Sequence, residues 1–232
     1  MKVLITGCGR SCTNWVTEIV RSSGKFNFTK SVEDRQFFHH KNLPEKYGTK
    51  LATENIGFNW NNIDKIMLKY QDLKVIFAVR HPISNAMSKV VRGQPSSKGG
   101  DASNLLAPDA TIDGASKAIR HMFNLYTAIS NKYRERVLFI RLEDLIYDVE
   151  KESRHICTFL EIEFDEKMLS AHKFNRNRYQ KQRYGDKIDK NQAEIYSNWK
   201  TVYNGFFEGR KNDIEKLKNI LYGVIEGFGY EI

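Results

Sequence analysis

The stretch that decides the fold is Lys2-Val3-Leu4-Ile5-Thr6-Gly7-Cys8-Gly9-Arg10-Ser11-Cys12-Thr13, an apolar run that passes into a glycine-containing loop. A short apolar run that ends in glycine is typical of a strand buried on both faces of a parallel sheet. Apolar residues then recur at helical spacing over residues 13–23, and Gly24 follows as a stop signal. The pattern predicts a strand, a tight loop and a helix, in that order.

Strands and helices are predicted to alternate along the rest of the chain. Residues 50–53, 74–79 and 137–140 are predicted strands, the second of them β-branched and followed by Pro82. Predicted helices include residues 63–70, 82–91, 115–133, 149–160 and 213–228. Residues 92–113 lack a sustained period and predict a long loop. This alternation predicts an α/β fold with a parallel sheet, whose ligands bind at the carboxyl ends of the strands.

Length and charge limit the class of protein. The 232 residues suit one domain spanning 1–232, and 37 Lys+Arg against 28 Asp+Glu leave a net charge of +9. This excess favours an anionic partner, and its densest stretch, residues 173–183, contains five basic residues with aromatic residues between them. A solvated basic surface is the simpler interpretation of that stretch.

The three cysteines and the apolar pattern bear on compartment and metal content. Cys8, Cys12 and Cys157 are too few and too scattered for a disulfide framework or a four-ligand zinc site, so no metal is expected. We expect no secretory leader, because a strand is predicted from Lys2, and no apolar run reaches the length of a membrane span. The sequence therefore predicts a soluble, cytoplasmic protein.

The first loop has the chemistry of a phosphate site. A strand-to-helix loop presents backbone N–H groups and the positive end of the helix dipole to an anion. Arg10 adds a fixed charge, and Ser11 and Thr13 add hydroxyl donors. The Gly-Lys-Ser/Thr of a Walker A motif is absent, which disfavours a conventional ATP or GTP kinase. The alternative is that Gly7 and Gly9 merely allow a tight turn.

A second anion site is predicted after the strand 74–79. Arg80 follows that strand, and Ser88 comes eight residues later, slightly more than two helical turns along the next helix. Both groups could therefore face the same end of the sheet. An ordinary exposed arginine and an ordinary helix serine are the alternative for this pair.

Three blocks together resemble the sulfotransferases that use 3′-phosphoadenosine 5′-phosphosulfate (PAPS). The blocks are Gly7-Cys8-Gly9-Arg10-Ser11-Cys12-Thr13-Asn14-Trp15, Val75-Ile76-Phe77-Ala78-Val79-Arg80-His81-Pro82 with Ser88, and Arg141-Leu142-Glu143-Asp144-Leu145. The resemblance implies a three-layer, P-loop-like α/β fold with PAPS as co-substrate. Cys12 stands where the family has glycine, and Asn14 stands where it has a second hydroxyl residue.

The resemblance also implies a division of the donor among residues. The 5′-phosphosulfate would be held by Gly9, Arg10, Ser11, Cys12, Thr13 and Asn14, and the 3′-phosphate by Arg80 and Ser88. Later in the chain, Trp199 and Arg183 are similar to elements that close the nucleotide site in the family.

Sulfuryl transfer needs an in-line acceptor oxygen, positive charge on the leaving phosphate and a group that accepts the proton of the acceptor. Arg10 is the candidate for the charge. Asp34, with Glu33 beside it, matches the carboxylate of glycan-modifying members, while Glu54 stands where other members have histidine. Lys50 resembles a lysine that lines the acceptor site. His39, on the acceptor side, has a suitable side chain but matches no motif position.

The resemblance implies a hydroxyl- or amine-bearing acceptor. The net positive charge of the chain favours a sugar or an acidic glycan as that acceptor. The resemblance disfavours nucleic acid as the partner. Two other functions stay open: a nucleotide-dependent kinase with a non-Walker loop, and a non-catalytic basic module that binds nucleic acid or acidic glycan.

Overall fold

The computed structural model describes residues 1–28, 33–55, 57–93, 111–171 and 209–231, with the backbone alone for residues 91–93. Its centre is a parallel sheet of five strands in the order β2-β3-β1-β4-β5. The strands are β1 (Lys2–Gly7), β2 (Asn27–Phe28), β3 (Tyr47–Ala52), β4 (Leu73–Val79) and β5 (Val137–Arg141). Ile5 of β1 lies between Lys50 of β3 and Ile76 of β4, so β1 is central.

Helices follow the strands, as the crossovers of a parallel sheet require. They are α1 (Thr13–Ser22), α2 (Trp60–Lys69), α3 (Pro82–Gly93), α4 (Ile112–Lys132), α5 (Leu142–Tyr147), α6 (Val149–Leu160) and α7 (Lys211–Gly227). Three short 3-10 helices also occur among the described residues, at Phe37–His39, Arg134–Arg136 and Glu166–Ser170.

Two apolar cores cover the two faces of the sheet. Leu4 of β1 belongs to the core that also holds residues of α2, α3, α4 and α7. Its neighbours Val3 and Ile5 point to the other face, where they join residues of α1 and α6. This alternation follows from the two-residue period of a strand, and the double burial explains the continuous apolar run in β1. The predicted α/β fold, a parallel sheet flanked by helices, is confirmed.

The predicted loop over residues 92–113 is wrong at both ends. Helix α3 continues to Gly93, and α4 begins at Ile112. The Thr111 hydroxyl accepts the Gly114 N–H at 3.0 Å and so caps the start of α4. A glycine at position 114, three residues after the cap, is not a residue that marks a helix start in a sequence. Residues 94–110 lie outside the described part of the chain.

Some short elements were missed. The two-residue strand β2 and the six-residue helix α5 are too short to show a period. β3 begins at Tyr47, three residues before the predicted strand. Its polar residues Thr49 and Lys50 are buried in the fold, but polar residues give no apolar signal in a sequence. No helix among the described residues has the length and apolarity to cross a membrane. The three cysteines are free thiols.

Candidate functional site

The loop between β1 and α1 leaves the sheet at Gly7, in the middle of the carboxyl edge. Gly7 has φ +149°, and a Cβ built on it would lie 2.2 Å from the carbonyl oxygen of Ala78 in β4. The Gly7 carbonyl in turn accepts the Thr53 N–H at 3.1 Å, beyond the end of β3. Only glycine fits a backbone this close to both neighbouring strands. The loop is therefore positioned by the sheet itself.

The loop winds through two left-handed residues, Arg10 at φ 74° and Cys12 at φ 65°. The N–H and the hydroxyl of Ser11 both donate to the Cys8 carbonyl, at 3.1 and 2.5 Å. The Trp15 N–H donates to the Cys12 carbonyl at 2.9 Å, so the helical hydrogen bonds of α1 start from the end of this loop. Alternating left- and right-handed residues form an anion-binding concavity. In this loop Ser11 shapes the turn with its hydroxyl.

Cys12 has a left-handed backbone conformation. Glycine adopts this conformation without cost, whereas a residue with a side chain loses about 1 kcal/mol in it. Burial raises the pKa of the Cys12 thiol well above its ordinary value, Glu143 raises it further, and Arg80 opposes the shift only in part. The thiol is therefore protonated at neutral pH and is a poor nucleophile.

Arg10 and Ser88 meet above the loop. The Arg10 Nε–H donates to the Ser88 hydroxyl at 3.4 Å, which joins the β1–α1 loop to α3. Arg80, which the sequence places with Ser88 at a second anion site, donates its Nε–H to the Ser84 hydroxyl at 2.7 Å. Ser84 and Ser88 are one helical turn apart on α3, so both arginines lie along the same face of that helix.

Glu54 lies in the loop after β3 and reaches the β1–α1 loop directly. Its Oε1 accepts the Gly9 N–H at 2.6 Å and the Cys8 thiol at 3.2 Å, and it lies 2.5 Å from the Lys89 Nζ. A Cβ on Gly9 would stand 3.1 Å from this oxygen and 3.3 Å from the Lys89 nitrogen. Glycine at position 9 therefore leaves room for a carboxylate and an ammonium against the loop backbone.

Asp34 is buried beside β3, away from the hydrogen bonds of the loop. Its carboxylate accepts the Tyr47 hydroxyl and the Gln36 N–H, the latter at 3.0 Å, and lies 2.8 Å from the His40 Nε2. Burial and the Asp34 carboxylate both raise the pKa of Tyr47. The Asp34 carboxylate thus ties its segment to Tyr47 of β3, and His39 next to this cluster is exposed.

Glu33, beside Asp34, is linked through Lys50 to the start of α1. The Lys50 Nζ lies 3.1 Å from Glu33 Oε1 and donates to the Asn14 side-chain oxygen at 2.7 Å, in the first turn of α1. Asn55 donates to the other Glu33 oxygen at 3.0 Å. Burial acts to raise the pKa of Glu33, but Lys50, Asn55 and a nearby arginine outweigh it, so this pKa is lowered. Glu33 is ionised at neutral pH.

The corner between β4 and α3 is held by Glu143 of α5. Glu143 accepts the His81 N–H at 3.0 Å and the Tyr230 hydroxyl at 2.7 Å. Burial lowers the pKa of His81, and the nearby Glu231 carbonyl and Glu143 oppose this only in part. The His81 ring is therefore neutral at neutral pH. Glu143 fixes the segment from which Arg80 extends.

The predicted site residues divide into three groups. The first group lies on or next to the carboxyl edge of the sheet and comprises Gly9, Arg10, Ser11, Cys12, Thr13, Asn14, Glu54, Lys50, Arg80 and Ser88. Asp34 and His39 lie on the segment before β3, and Arg183 and Trp199 are outside the described residues. Within the described ranges, no cluster of His, Cys, Asp or Glu is arranged to hold a metal ion.

Sequence reasoning missed Lys89. The residue directly follows Ser88, and its side chain is only 3% exposed. A lysine next to a predicted anion-binding serine was the available signal, but only the fold brings it to Glu54, 35 residues away.

A model described as the sulfotransferase family matches residues 34–166, more than half of the chain. A sulfotransferase domain from the Synechococcus PCC 7002 olefin synthase is 16% identical, with a TM-score of 0.57 over 100% of this chain and 96% of that chain. A sulfotransferase domain from the curacin biosynthetic pathway is also 16% identical, with a TM-score of 0.56 over 99% and 98%.

A mouse sulfotransferase complexed with PAP is 16% identical, with a TM-score of 0.55 over 94% of this chain and 88% of that chain. At this identity the three structures establish a shared fold. A comparison with curated protein sequences gives no significant match.

Proposed function

The chain belongs to the sulfotransferase family, and from this premise we propose that it moves the sulfuryl group of PAPS to a hydroxyl or an amine of its acceptor. One observation carries the choice of donor: the predicted phosphate loop and the predicted second anion site are contiguous, joined by Arg10 and Ser88 at 3.4 Å. A donor with phosphate groups on both the 3′ and the 5′ oxygen of one ribose suits two neighbouring anion sites. PAP, which is adenosine 3′,5′-bisphosphate, is bound in the mouse structure and is the desulfated product of this donor.

In this proposal the loop holds the 5′-phosphosulfate. Left-handed Arg10 and Cys12 give the loop the backbone form of an anion-binding concavity, and the start of α1 adds the positive end of its dipole. Arg10 stabilises the charge that develops on the leaving phosphate as the sulfur–oxygen bond breaks. Ser88 keeps the Arg10 guanidinium over the loop, and Arg80, which contacts Ser84 on the same face of α3, takes the 3′-phosphate.

Glu54 is the better supported of the two proton acceptors. Its carboxylate touches the backbone of the phosphate loop at Gly9, whereas the Asp34 carboxylate is buried and engaged by Tyr47 and His40. A general base must lie within hydrogen-bond reach of the proton that it takes. The position of Glu54 next to the loop meets this condition for an acceptor placed in line with the phosphosulfate.

The acceptor is proposed to be rich in hydroxyl groups, such as a sugar. Glu33, Lys50, Asn14 and Asn55 form a polar chain beside the loop, which suits an acceptor that makes several hydrogen bonds. The roles of His39, Arg183 and Trp199 stay predictions.

Transfer of labelled sulfuryl from PAPS to a panel of sugars, phenols and amines tests the function. We expect transfer to a sugar hydroxyl, and a loss of about 100-fold or more in turnover for Arg10→Ala. Arg134→Ala, which removes an equally charged exposed arginine from a 3-10 helix, is the matched control and should retain turnover.

Calorimetry with adenosine 3′,5′-bisphosphate and with ADP plus Mg²⁺ separates the proposal from a kinase. Binding of the bisphosphate that weakens in Arg80→Ala supports PAPS as the donor. A preference for ADP with Mg²⁺ contradicts it.

A further inference from the structure

Lys89 is a buried cation in the middle of the proposed donor site. Its side chain is 3% exposed, and its ammonium lies 2.5 Å from the Glu54 Oε1 atom. A lysine is rarely buried to this extent unless it is paired, since removing its charge from water is costly. The pair joins α3 to the loop after β3, two elements that the predicted motifs treat separately.

The position of the pair matters as much as its burial. The same Glu54 oxygen accepts the Gly9 N–H at 2.6 Å, and the Lys89 nitrogen lies 3.3 Å from the place of a Cβ on Gly9. Carboxylate and ammonium therefore both lie against the backbone that we propose binds the 5′-phosphosulfate. An anion held by this loop would lie near both groups.

A carboxylate next to a bound polyanion creates an electrostatic conflict. Like charges at close range repel each other strongly where the dielectric is low, and the donor would be weakened by the base that its reaction needs. A buried ammonium on the carboxylate removes most of this repulsion. Lys89 is placed to do so from the side of α3.

We propose that Lys89 is the counter-ion that allows Glu54 and the donor to share one site, and that its charge passes to the leaving phosphate during transfer. The inference rests on the proposed function. The acceptor oxygen forms a bond to sulfur while the bond from sulfur to the bridging oxygen breaks, and its electron pair goes to the 5′-phosphate. The acceptor proton moves to Glu54. The carboxyl is then neutral, and the ammonium of Lys89 faces the phosphate.

A double-mutant cycle on bisphosphate binding tests this coupling. We expect Lys89→Met to raise the Kd for adenosine 3′,5′-bisphosphate by about tenfold to a hundredfold, because an unpaired Glu54 charge then repels the ligand. Glu54→Gln should bind as tightly as the parent or more tightly. In the Glu54→Gln background, Lys89→Met should raise the Kd by a clearly smaller factor than in the parent protein, because only the attraction between the ammonium and the 5′-phosphate is then lost.

Turnover at saturating donor adds a second readout. Lys89→Met should lower kcat by about tenfold or more beyond its effect on binding, since the leaving phosphate loses a cation. Lys89→Arg, which keeps the charge, should retain most of the activity. Lys132→Met is the matched control, because Lys132 forms an ion pair of 2.6 Å with Asp64 on an exposed surface.

The outcomes separate the inference from the proposed function. Equal weakening by Lys89→Met in the parent protein and in the Glu54→Gln variant overturns the coupling while PAPS remains the donor. Absence of bisphosphate binding by the parent protein overturns the proposed function and this inference with it. If Lys89→Met alone fails to fold, Lys89→Gln replaces it in the cycle, since its amide can still donate to Glu54, and the same two comparisons decide.

Discussion

Gly7→Ala tests whether the sheet positions the phosphate loop. Gly7 has φ +149°, and an added Cβ would lie 2.2 Å from the Ala78 carbonyl oxygen and 2.7 Å from the Ser11 hydroxyl. The hydroxyl belongs to a side chain, but the carbonyl belongs to the backbone of a central strand. The overlap can be relieved only by moving β1 away from β4 or by refolding the loop.

The cost has two parts. A side chain at this backbone conformation costs about 1–3 kcal/mol, and forcing a methyl group into a filled space costs about 1–3 kcal/mol more. A sum of about 4 kcal/mol is a large share of the stability of an ordinary domain. For a chain of this length it corresponds to a fall in Tm of about 8–16 °C.

Thermal unfolding followed by far-UV circular dichroism measures this fall, and two other glycines supply controls. Gly24 also has a positive φ, +65°, but nothing lies within 4 Å of its Cβ position, so Gly24→Ala should cost about 1 kcal/mol. Gly223 lies on the exposed face of α7 with nothing within 4 Å, so Gly223→Ala should stabilise by about 0.5–1 kcal/mol. If Gly7→Ala melts within about 2 °C of Gly24→Ala, the close approach to β4 is not what the loop depends on.

Three further predictions concern polar groups near the site. Asp34→Asn should lower the free energy of unfolding by about 1–3 kcal/mol in urea titrations, because Tyr47 and His40 lose a buried charged partner; lost turnover with unchanged stability would instead make Asp34 the base. The pKa of Glu33 lies below its ordinary 4.5 in the folded protein, so its stabilisation is present above that value and is lost as pH falls through the folded pKa. Glu33→Gln should therefore flatten the decline of the urea midpoint between about pH 5 and pH 3, and an unchanged decline would contradict the assignment. Both polar atoms of the Asn85 side chain are buried without a hydrogen-bond partner in the described part of the chain. Asn85→Ala should therefore change the free energy of unfolding by less than about 1 kcal/mol. A loss above about 2 kcal/mol would mean that the Asn85 amide is hydrogen-bonded in the folded protein.

The resemblance recognised in the sequence is confirmed by the family match over residues 34–166. That match begins after the phosphate loop, so the loop is supported by its own residues and geometry. Gly7, Gly9 and Arg10 could be singled out because a strand-to-helix turn needs glycine and an anion needs a cation. These requirements are local, and a local pattern is what a sequence displays.

Hydrogen-bond partners in different elements of the fold could not be predicted in the same way. The sequence placed Arg80 and Ser88 at the same end of the sheet, and only the structure shows that Arg80 donates to Ser84 and Arg10 to Ser88. The resemblance favoured Asp34 as proton acceptor, and only the structure shows that its carboxylate is buried and bonded to Tyr47 and His40. Which side chain of a segment faces a site depends on the rotation of that segment, and packing against β3 decides it.

The sequence itself determined the opening strand, its loop and the alternation of strands with helices. Burial on both faces of a sheet requires a continuous apolar run, and the helices between the strands show the helical period. The tertiary structure alone decided that Lys89 meets Glu54 and that both lie against Gly9. Contacts between residues 35 positions apart or more depend on strand order and on the close approach of backbones at the carboxyl edge. Neither leaves a periodic trace in the chain.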